Sequence, residues 1–325
     1  MAEGKKKTPE VEPRFKGVPP KIADEIMAYE NQYFKEDLPI PFCGTLKLYP
    51  ATVREYEVFS HCSSCLTLNK NQDAEGLRMS YLDYLYSRTQ LPGEEGQRWS
   101  YKIQKLFEVI FHIQNGIKCT KCGRVISYNS PEFIEYINKV SEAQKNNQPT
   151  PDLNCPTEGC GSVEFIEMMK FVEDPETHKH DLYVDGQKIS RKDFDRLRYI
   201  VLFQNFPDYQ DDSWVDPDIK KDYEERQELE RKKNDVYATI EKKIVCLSIY
   251  TSWTFEYIYS MSIRKFTMAL VAMDDLINYK INRTAMMSGF VQWPKDKPLE
   301  HWIYKPHKDL FGDNYKSIDE ATKGL

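Results

Sequence analysis

The sequence lacks the features of membrane, secreted and disulfide-stapled proteins. No apolar run approaches the roughly 18 residues that a membrane-spanning helix needs, and the best local stretch is Phe266 to Met273. The first residues contain lysine and proline but no apolar segment of the kind that a secretory signal requires. Eight cysteines in 325 residues are too few for a disulfide scaffold. We therefore expect a chain that is neither membrane-embedded nor secreted.

Signature motifs of common enzyme classes are also missing. The sequence has no Walker A loop, no GxGxxG after a strand, no HExxH and no GxSxG. Of the six histidines, only His178 and His180 lie close together, and the acidic, turn-rich stretch around them predicts a surface loop. We therefore expect a protein that is not an enzyme, with no catalytic residues and no organic cofactor.

The charge balance argues against nucleic acid as a partner. Forty-five basic and 51 acidic residues give a net charge of -6, which repels phosphate backbones. The first 21 residues are locally cationic, with six Lys/Arg against three Asp/Glu, and their prolines predict a flexible basic tail. A docking arm is the alternative interpretation of this tail. The composition as a whole, 40% hydrophobic and 13% aromatic, is that of a folded protein.

Two cysteine pairs, each followed by glycine, have the spacing of metal-binding turns. They read Cys119-Thr-Lys-Cys122-Gly123 and Cys155-Pro-Thr-Glu-Gly-Cys160-Gly161. Each turn directs two thiolates towards one side of a tetrahedron, and glycine suits the backbone because it tolerates positive φ. The four cysteines therefore predict a closed structural zinc site. Two unrelated pairs of reduced cysteines and a redox site are the alternatives.

The remaining cysteines are less informative. His61, Cys62 and Cys65 follow an apolar, aromatic run and have no adjacent glycine, so packed thiols are the main interpretation and a second metal site is the alternative. Cys43 and Cys246 are interpreted as single core residues.

Hydrophobic periodicity predicts an α+β fold that is predominantly helical, with a zinc-ribbon-like insert. Helices are expected at 21–34, after 52, at 79–86, 99–113 and 130–140, after 190, and at 216–243 and 262–283. Strands are expected within 38–50 and 163–172, with a helix as the alternative for the second segment, and a hairpin is expected at 182–189 around Asp185-Gly186. The predicted segments are a flexible basic tail (1–21), a mostly helical region (22–114), a zinc-ribbon-like module with a helical insert (115–172) and a mainly helical C-terminal region (173–325).

The C-terminal region offers two candidate contact surfaces. The 262–283 helix has apolar residues three or four positions apart, and its methionines favour a core face, with an adaptable interface as the alternative. After it comes an irregular stretch rich in aromatics and proline. Large aromatics in such a setting are typical of interface anchors, so Trp293, Trp302 and Tyr304 are predicted to bind a partner.

Several short motifs carry a resemblance to a known family. They are Lys188–Ile200, Gln204-Asn205, Asp216-Pro217-Asp218, Met261–Phe266, Gly289-Phe290 and Lys297–Trp302, with Leu46–Pro50, Asn69-Lys70 and Met79–Leu82 before them. In these motifs the chain resembles tail proteins of large tailed bacteriophages that serve as baseplate hub assembly proteins or tail-assembly chaperones. The motifs are loose, they contain no catalytic residue, and the four zinc-site cysteines do not match the family.

The resemblance implies a structural or assembly protein of a phage tail or baseplate that acts by binding other tail or baseplate proteins. Such a protein is expected in the virion or in the host cytoplasm during assembly. The alternative, from another functional class, is a zinc-ribbon regulatory protein that contacts nucleic acid or polymerase. The cysteine quartet favours that alternative, whereas the acidic charge balance opposes it.

Overall fold

A computed structural model describes residues 12–68, 70, 76–212, 215, 217–234, 239–288, 299, 301 and 303, which form the predicted α+β fold with dominant helices. The α-helices are α1 (Pro20–Tyr29), α2 (Tyr56–Cys62), α3 (Tyr81–Thr89), α4 (Glu94–Phe111), α5 (Pro131–Lys145), α6 (Arg191–Asn205), α7 (Pro217–Asn234), α8 (Ile240–Thr251), α9 (Phe255–Ser260) and α10 (Ile263–Met287). The β-strands are β1 (Ile40–Pro41), β2 (Lys47–Leu48), β3 (Gly116–Cys119), β4 (Val125–Ser127), β5 (Phe165–Glu167), β6 (Met169–Asp174), β7 (Lys179–Val184) and β8 (Gln187–Ile189). Across the described ranges, no helix combines the length and the apolar character that crossing a bilayer demands.

The chain divides into two compact units that interleave along the sequence. The helical unit comprises Met1–Phe34, Ala51–Tyr56 and Leu202–Leu325, and the sheet unit comprises Lys35–Pro50 and Glu57–Val201. The four consecutive segments expected from the sequence stay a prediction about domains.

The sheet unit contains three small antiparallel sheets. β1 pairs with β2, β3 lies between β4 and β5, and β7 lies between β6 and β8. Helix α3 packs against α4 and against β7. Helix α4 begins after Gly93, and its side chains Ile103, Phe107 and Ile110 are buried. Their spacing of three or four residues places them on one face, which is how the helix contributes to the core of this unit.

The helical unit has a core formed by α8, α9 and α10. Its buried members are Val53, Ile244, Leu247, Ile258, Met261 and Phe266. Each of the three helices begins with a hydroxyl side chain that accepts a hydrogen bond from a first-turn N–H: Thr239 before α8, Thr254 before α9 and Ser262 before α10. Such caps satisfy backbone donors that have no partner inside the helix. They explain why three helices can follow one another with so few connecting residues.

A buried ion-pair network also lies in the helical unit. The Arg14 guanidinium donates to both carboxylate oxygens of Glu30 at 2.7 and 3.0 Å, and Arg264 Nη2 lies 3.1 Å from Glu30 Oε1. Arg264 Nη1 also donates to the Phe203 carbonyl oxygen at 2.6 Å. The three charged side chains are only 13–14% exposed. One carboxylate thus links residues that are far apart in the sequence.

Many predicted elements form where the sequence places them. Ser130 caps the predicted insert helix α5 through the Phe133 N–H, and the Asp185-Gly186 turn of the β7–β8 hairpin has positive φ at both residues. Thr52 and Glu55 form a capping box at the start of the segment that leads into α2. These predictions are confirmed because they depend on contacts between residues close in sequence.

Two burial predictions need correction. The apolar stripe of α10 is buried only at its start, at Ile263 and Phe266, whereas Ile281 is 59% exposed. Leu270 and Met273 still pack against the core cluster while partly exposed, so the core interpretation is confirmed as far as Met273 and wrong for Ile281. Cys246 was interpreted as a core residue, but it is exposed on α8, and Cys43 is only half-buried. Periodicity shows which residues share a face and not what covers that face.

Candidate metal centre

The sheet of β4, β3 and β5 carries the four predicted cysteines at one end. Strand β3 ends at Cys119, and the turn from β3 to β4 holds Cys122. Cys155 and Cys160 precede β5, which pairs with β3 so that Phe165 lies opposite Cys119. Phe165 also packs against the buried cysteines. The sheet pairing is what brings two turns that are separated by α5 to the same place.

Backbone hydrogen bonds hold each cysteine turn. The Gly123 N–H donates to the Cys119 carbonyl oxygen at 3.0 Å, and the Cys155 N–H donates to the Ser162 carbonyl oxygen at 2.9 Å. Gly123 and Gly161 have φ values of 75° and 59°, and an added Cβ would meet no atom within 4 Å at either residue. Backbone conformation, and not lack of space, is therefore the reason for glycine at these two positions.

The four sulfurs form a compact group. Cys119 Sγ and Cys160 Sγ lie 3.7 Å apart, Cys122 Sγ and Cys155 Sγ lie 3.5 Å apart, and all four lie within 4.8 Å of one another. Tetrahedral coordination with metal–sulfur bonds of about 2.3 Å would give sulfur–sulfur edges of about 3.8 Å. A disulfide would need about 2.05 Å. The observed spacing therefore fits a shared metal ion better than a pair of disulfides.

Local hydrogen bonds favour the thiolate form of part of this group. The Cys122 N–H and other nearby donors lower the pKa of Cys119 to about 6. The pKa of Cys122 is also lowered, first by the Thr157 hydroxyl and then by the Arg124 N–H. At Cys160 the Ser162 N–H acts in the same direction, but burial and the neighbouring thiols outweigh it and raise the pKa to about 11. Four thiols this close cannot all ionise without a cation to balance them.

The donor set limits the chemistry of the centre. Four thiolates would fill a tetrahedral metal and leave no position for water or substrate, so such a centre stabilises structure and does not catalyse. Cys119, Cys155 and Cys160 are at most 7% exposed, whereas Cys122 is exposed at the surface. The described residues hold no second group of three or more potential metal ligands with this spacing.

The third cysteine pair has the features of packed thiols. Cys62 and Cys65 are buried, at 1% and 0% exposure, whereas His61 is exposed. Burial raises the pKa of both thiols, that of Cys65 to about 12. The exposed imidazole is not gathered with the two sulfurs into a ligand group within the described residues. The packed-thiol interpretation is therefore the better supported one.

Replacing Cys65 with alanine should make the free energy of unfolding fall less steeply as the pH rises in the alkaline range. Because the folded-state pKa of about 12 lies above the ordinary value of 9.0, the unfolded chain loses this proton first. The thiol's contribution is therefore fully present below pH 9.0 and falls as the pH rises towards 12, by about 1.4 kcal/mol per unit. Urea unfolding at pH 8.5 and 10.5 measures the difference. Cys246→Ala, which removes an exposed thiol, should leave the pH slope of the wild type.

Sequence reasoning missed the surroundings of His180. His178 lies at the turn between β6 and β7 and is exposed, as the surface-loop prediction requires. His180 instead lies on β7, is 15% exposed, and stacks on Tyr86 with ring centroids 3.8 Å apart. The surface-loop interpretation is therefore wrong for His180. The signal was present, because His180 has the same two-residue spacing as the buried Leu182 and Val184.

Part of the predicted basic tail is described, and there Phe15 (3% exposed) and Val18 (7% exposed) are buried, so residues 12–21 are packed and not flexible. The predicted partner-binding residues Trp293, Trp302 and Tyr304 and the first 11 residues of the tail lie outside the described residues. Their roles stay predictions.

Comparison with known proteins gives one match. Residues 230–306 match the family model described as the YomV second domain, a phage-derived family. The searches of curated proteins and of solved structures found no match. The matched stretch covers the end of α7 and all of α8, α9 and α10, so it lies in the helical unit and not around the cysteines. About a quarter of the chain is thus similar to a phage-associated domain, and a metal-compatible cysteine cluster lies outside it.

Proposed function

We propose that the protein is a non-enzymatic structural or assembly protein of a phage tail or baseplate that acts through protein–protein contacts. Its partners are other tail or baseplate proteins, and it is located in the virion or in the host cytoplasm during assembly. A structural zinc ion held by Cys119, Cys122, Cys155 and Cys160 stabilises it. The phage-derived family match supports the phage origin, and the surface of the matched helices supports the binding role.

The observation that carries the binding role is the exposed apolar surface of α8, α9, α10 and the short connection between α8 and α9. Its exposed large side chains are Val245, Ile249, Tyr250, Trp253, Phe255, Tyr257, Met268, Val271, Ile281, Met286 and Met287. Single exposed hydrophobic residues are ordinary, but a concentration along three helices that share one core is typical of a surface that a partner covers.

Two local features make this surface suitable for binding. Val245 and Ile249 are four residues apart on α8, which places them on one face, and Ile249 is 77% exposed. The Trp253 and Tyr257 rings lie 5.4 Å apart in an edge-to-face arrangement. Aromatic and aliphatic anchors of this kind bury a large area with little loss of conformational entropy. The methionines of α10 add a side chain that adapts to different partners.

Zinc is the metal that best suits the cysteine quartet. All-thiolate tetrahedral sites select soft or borderline cations, and closed sites of this type are a common use of zinc in proteins. The ion would be stabilising and not catalytic, in agreement with a non-enzymatic role.

The alternative function is a zinc-ribbon regulatory protein that contacts nucleic acid or polymerase. The three-stranded sheet with cysteine turns at one end favours it. The net charge of -6 opposes it, because little counterion release is available to drive binding to a phosphate backbone. Submicromolar, steeply salt-dependent binding to DNA or RNA would support this alternative over the tail role.

Changing Ile249 to serine should weaken association with tail proteins without lowering thermal stability. The side chain is mostly exposed, so little packing is lost, but an apolar anchor is removed from the proposed surface. The measurement is co-purification with tail and baseplate proteins from phage-producing cells, with mass spectrometry of purified particles. Leu229→Ser is the matched control, because Leu229 is 65% exposed on α7 among charged neighbours.

The control variant should associate as the wild type does. Absence of the protein both from purified particles and from complexes with tail proteins would overturn the tail proposal. Equal association of the Ile249→Ser variant and the wild type would show that this face of α8 is not part of the binding surface.

A further inference from the structure

The sheet unit contains a cavity that is a candidate binding site, and none of the cysteines lines it. The cavity has a volume of about 670 Å³ and lies where the β6–β7 turn meets the first turns of α3 and α6. This volume is within the range of pockets that hold small molecules. All of its lining residues belong to the sheet unit.

Cationic side chains outnumber acidic ones in the lining of the cavity. Four lysines and arginines contribute, and they are Arg78, Lys179, Arg191 and Lys192. His178 and His180 also line the cavity, and the acidic lining residues are Asp83 and Asp195. This excess of positive charge contrasts with the net charge of -6 for the whole chain. A local cationic surface on an acidic protein favours an anionic ligand at that place.

Both carboxylates of the cavity already interact with the protein itself. Asp83 accepts hydrogen bonds from the Ser80 hydroxyl at 2.6 Å and from the His180 backbone N–H at 2.8 Å. Asp195 interacts electrostatically with Arg198 and Lys70, and its burial raises its pKa. Asp195 Oδ1 is itself buried without a hydrogen-bond partner among the described residues, so of the two acids only Asp83 is held by hydrogen bonds. The four lysines and arginines still outnumber the two carboxylates that line the cavity.

Arg191 provides the most specific indication of a ligand. Its Nη1 is buried and has no hydrogen-bond partner among the described residues. A buried guanidinium nitrogen without an acceptor is unfavourable, and an anion in the adjoining cavity would satisfy it. Arg191 is also the first residue of α6, and Ser80 is the N-cap of α3. Two helix N-termini thus lie at the cavity, and their dipoles add to its positive potential.

From these observations we infer that the cavity binds the phosphate group of a small phosphorylated molecule. Arg191 and Lys192 contact the phosphate. Arg78, just before α3, and Lys179, at the start of β7, add positive charge. The guanidinium fork suits the geometry of phosphate oxygens. The remaining volume accommodates an organic part beside Tyr86, which also lines the cavity.

Isothermal titration of the full-length protein with inorganic pyrophosphate and with ADP tests this inference. Both ligands should bind saturably with one site per chain, and adenosine alone should not bind. Arg191→Gln and Lys192→Gln should each weaken binding by about tenfold, the loss expected for one charge-assisted contact. The side chain of Lys192 is exposed, so this second variant is not expected to disturb folding.

Arg98→Gln is the matched control, because Arg98 is an exposed residue of the same unit that lies outside the cavity. It should bind both ligands as the wild type does. Tighter binding of ADP than of pyrophosphate would support an organic part in the cavity, and equal binding would support recognition of the phosphates alone. Absence of saturable binding of either ligand would overturn the inference, as would equal affinity in all variants. So would binding of only a single-stranded oligonucleotide, since that would make the cavity part of a nucleic-acid surface.

Discussion

The Cys155→Ser variant should lose bound zinc, from about one equivalent in the wild-type protein to less than about half an equivalent. The four sulfurs lie within 4.8 Å of one another, so removal of one leaves an incomplete coordination shell. Structural zinc contributes about 10–16 kcal/mol of apparent binding free energy in small zinc domains, which makes this the largest effect expected for a single side chain. Elemental analysis after metal-replete expression measures the zinc content.

Removal of zinc from the wild-type protein by a chelator should destabilise the sheet that carries the cysteines and not the helical unit. Amide hydrogen exchange should accelerate in β3, β4 and β5, which carry the cysteine turns, whereas α8, α9 and α10 should keep their protection because they have their own core. Cys246→Ser is the control, since it removes an exposed thiol outside the cluster and should retain the metal. Equal zinc content in the Cys155→Ser variant and the wild type would contradict the assignment of the site. So would a wild-type protein that contains no zinc after metal-replete expression.

Replacing Glu30 with alanine should destabilise the helical unit by about 3–5 kcal/mol. The variant leaves the Arg14 and Arg264 guanidiniums close together, 13–14% exposed and without the carboxylate that bridges them. Arg14 keeps its ion pair with Glu12 at 2.7 Å, but Arg264 loses the carboxylate that it contacts. A largely buried charge cannot recover its hydration, and two like charges also repel. Urea or thermal unfolding followed by circular dichroism measures the change.

Glu256→Ala is the matched control in the same unit. Glu256 also pairs with an arginine, Arg54, at 2.7 Å, but the two side chains are 80% and 61% exposed. Solvent screening limits such a pair to less than about 1 kcal/mol. Equal effects of the two substitutions would mean that burial of the Glu30 network contributes nothing, contrary to our expectation.

Local chemistry made much of the secondary structure predictable. The insert helix α5 follows a serine cap and a proline, and the β7–β8 hairpin follows an Asp-Gly turn. In both elements the decisive contacts join residues that are at most a few positions apart, and a sequence displays those directly. The grouping of the four cysteines was predictable for a similar reason, because metal-binding turns have a characteristic spacing and a glycine where φ is positive.

Burial of side chains was harder to predict from the sequence than secondary structure. The stripe of α10 has regular spacing over its length, but only Ile263 and Phe266 are fully buried, Leu270 and Met273 pack against the core cluster while partly exposed, and Ile281 is exposed. Spacing defines a face of a helix, whereas the elements that cover this face are chosen by packing of distant segments.

The sequence by itself determined helices such as α5, α6 and α10, the β7–β8 hairpin and the pairs of cysteines, because each depends on neighbours along the chain, but it did not predict α9. Only the tertiary structure decided which distant charges meet. Glu30 and Arg264 are separated by 234 residues, and the cationic cavity joins the start of α3, the β6–β7 turn and the start of α6. No local sequence pattern predicts these contacts, because they result from the packing of whole helices and strands. The energy of a charged side chain also depends on the burial and the neighbours that this packing gives it.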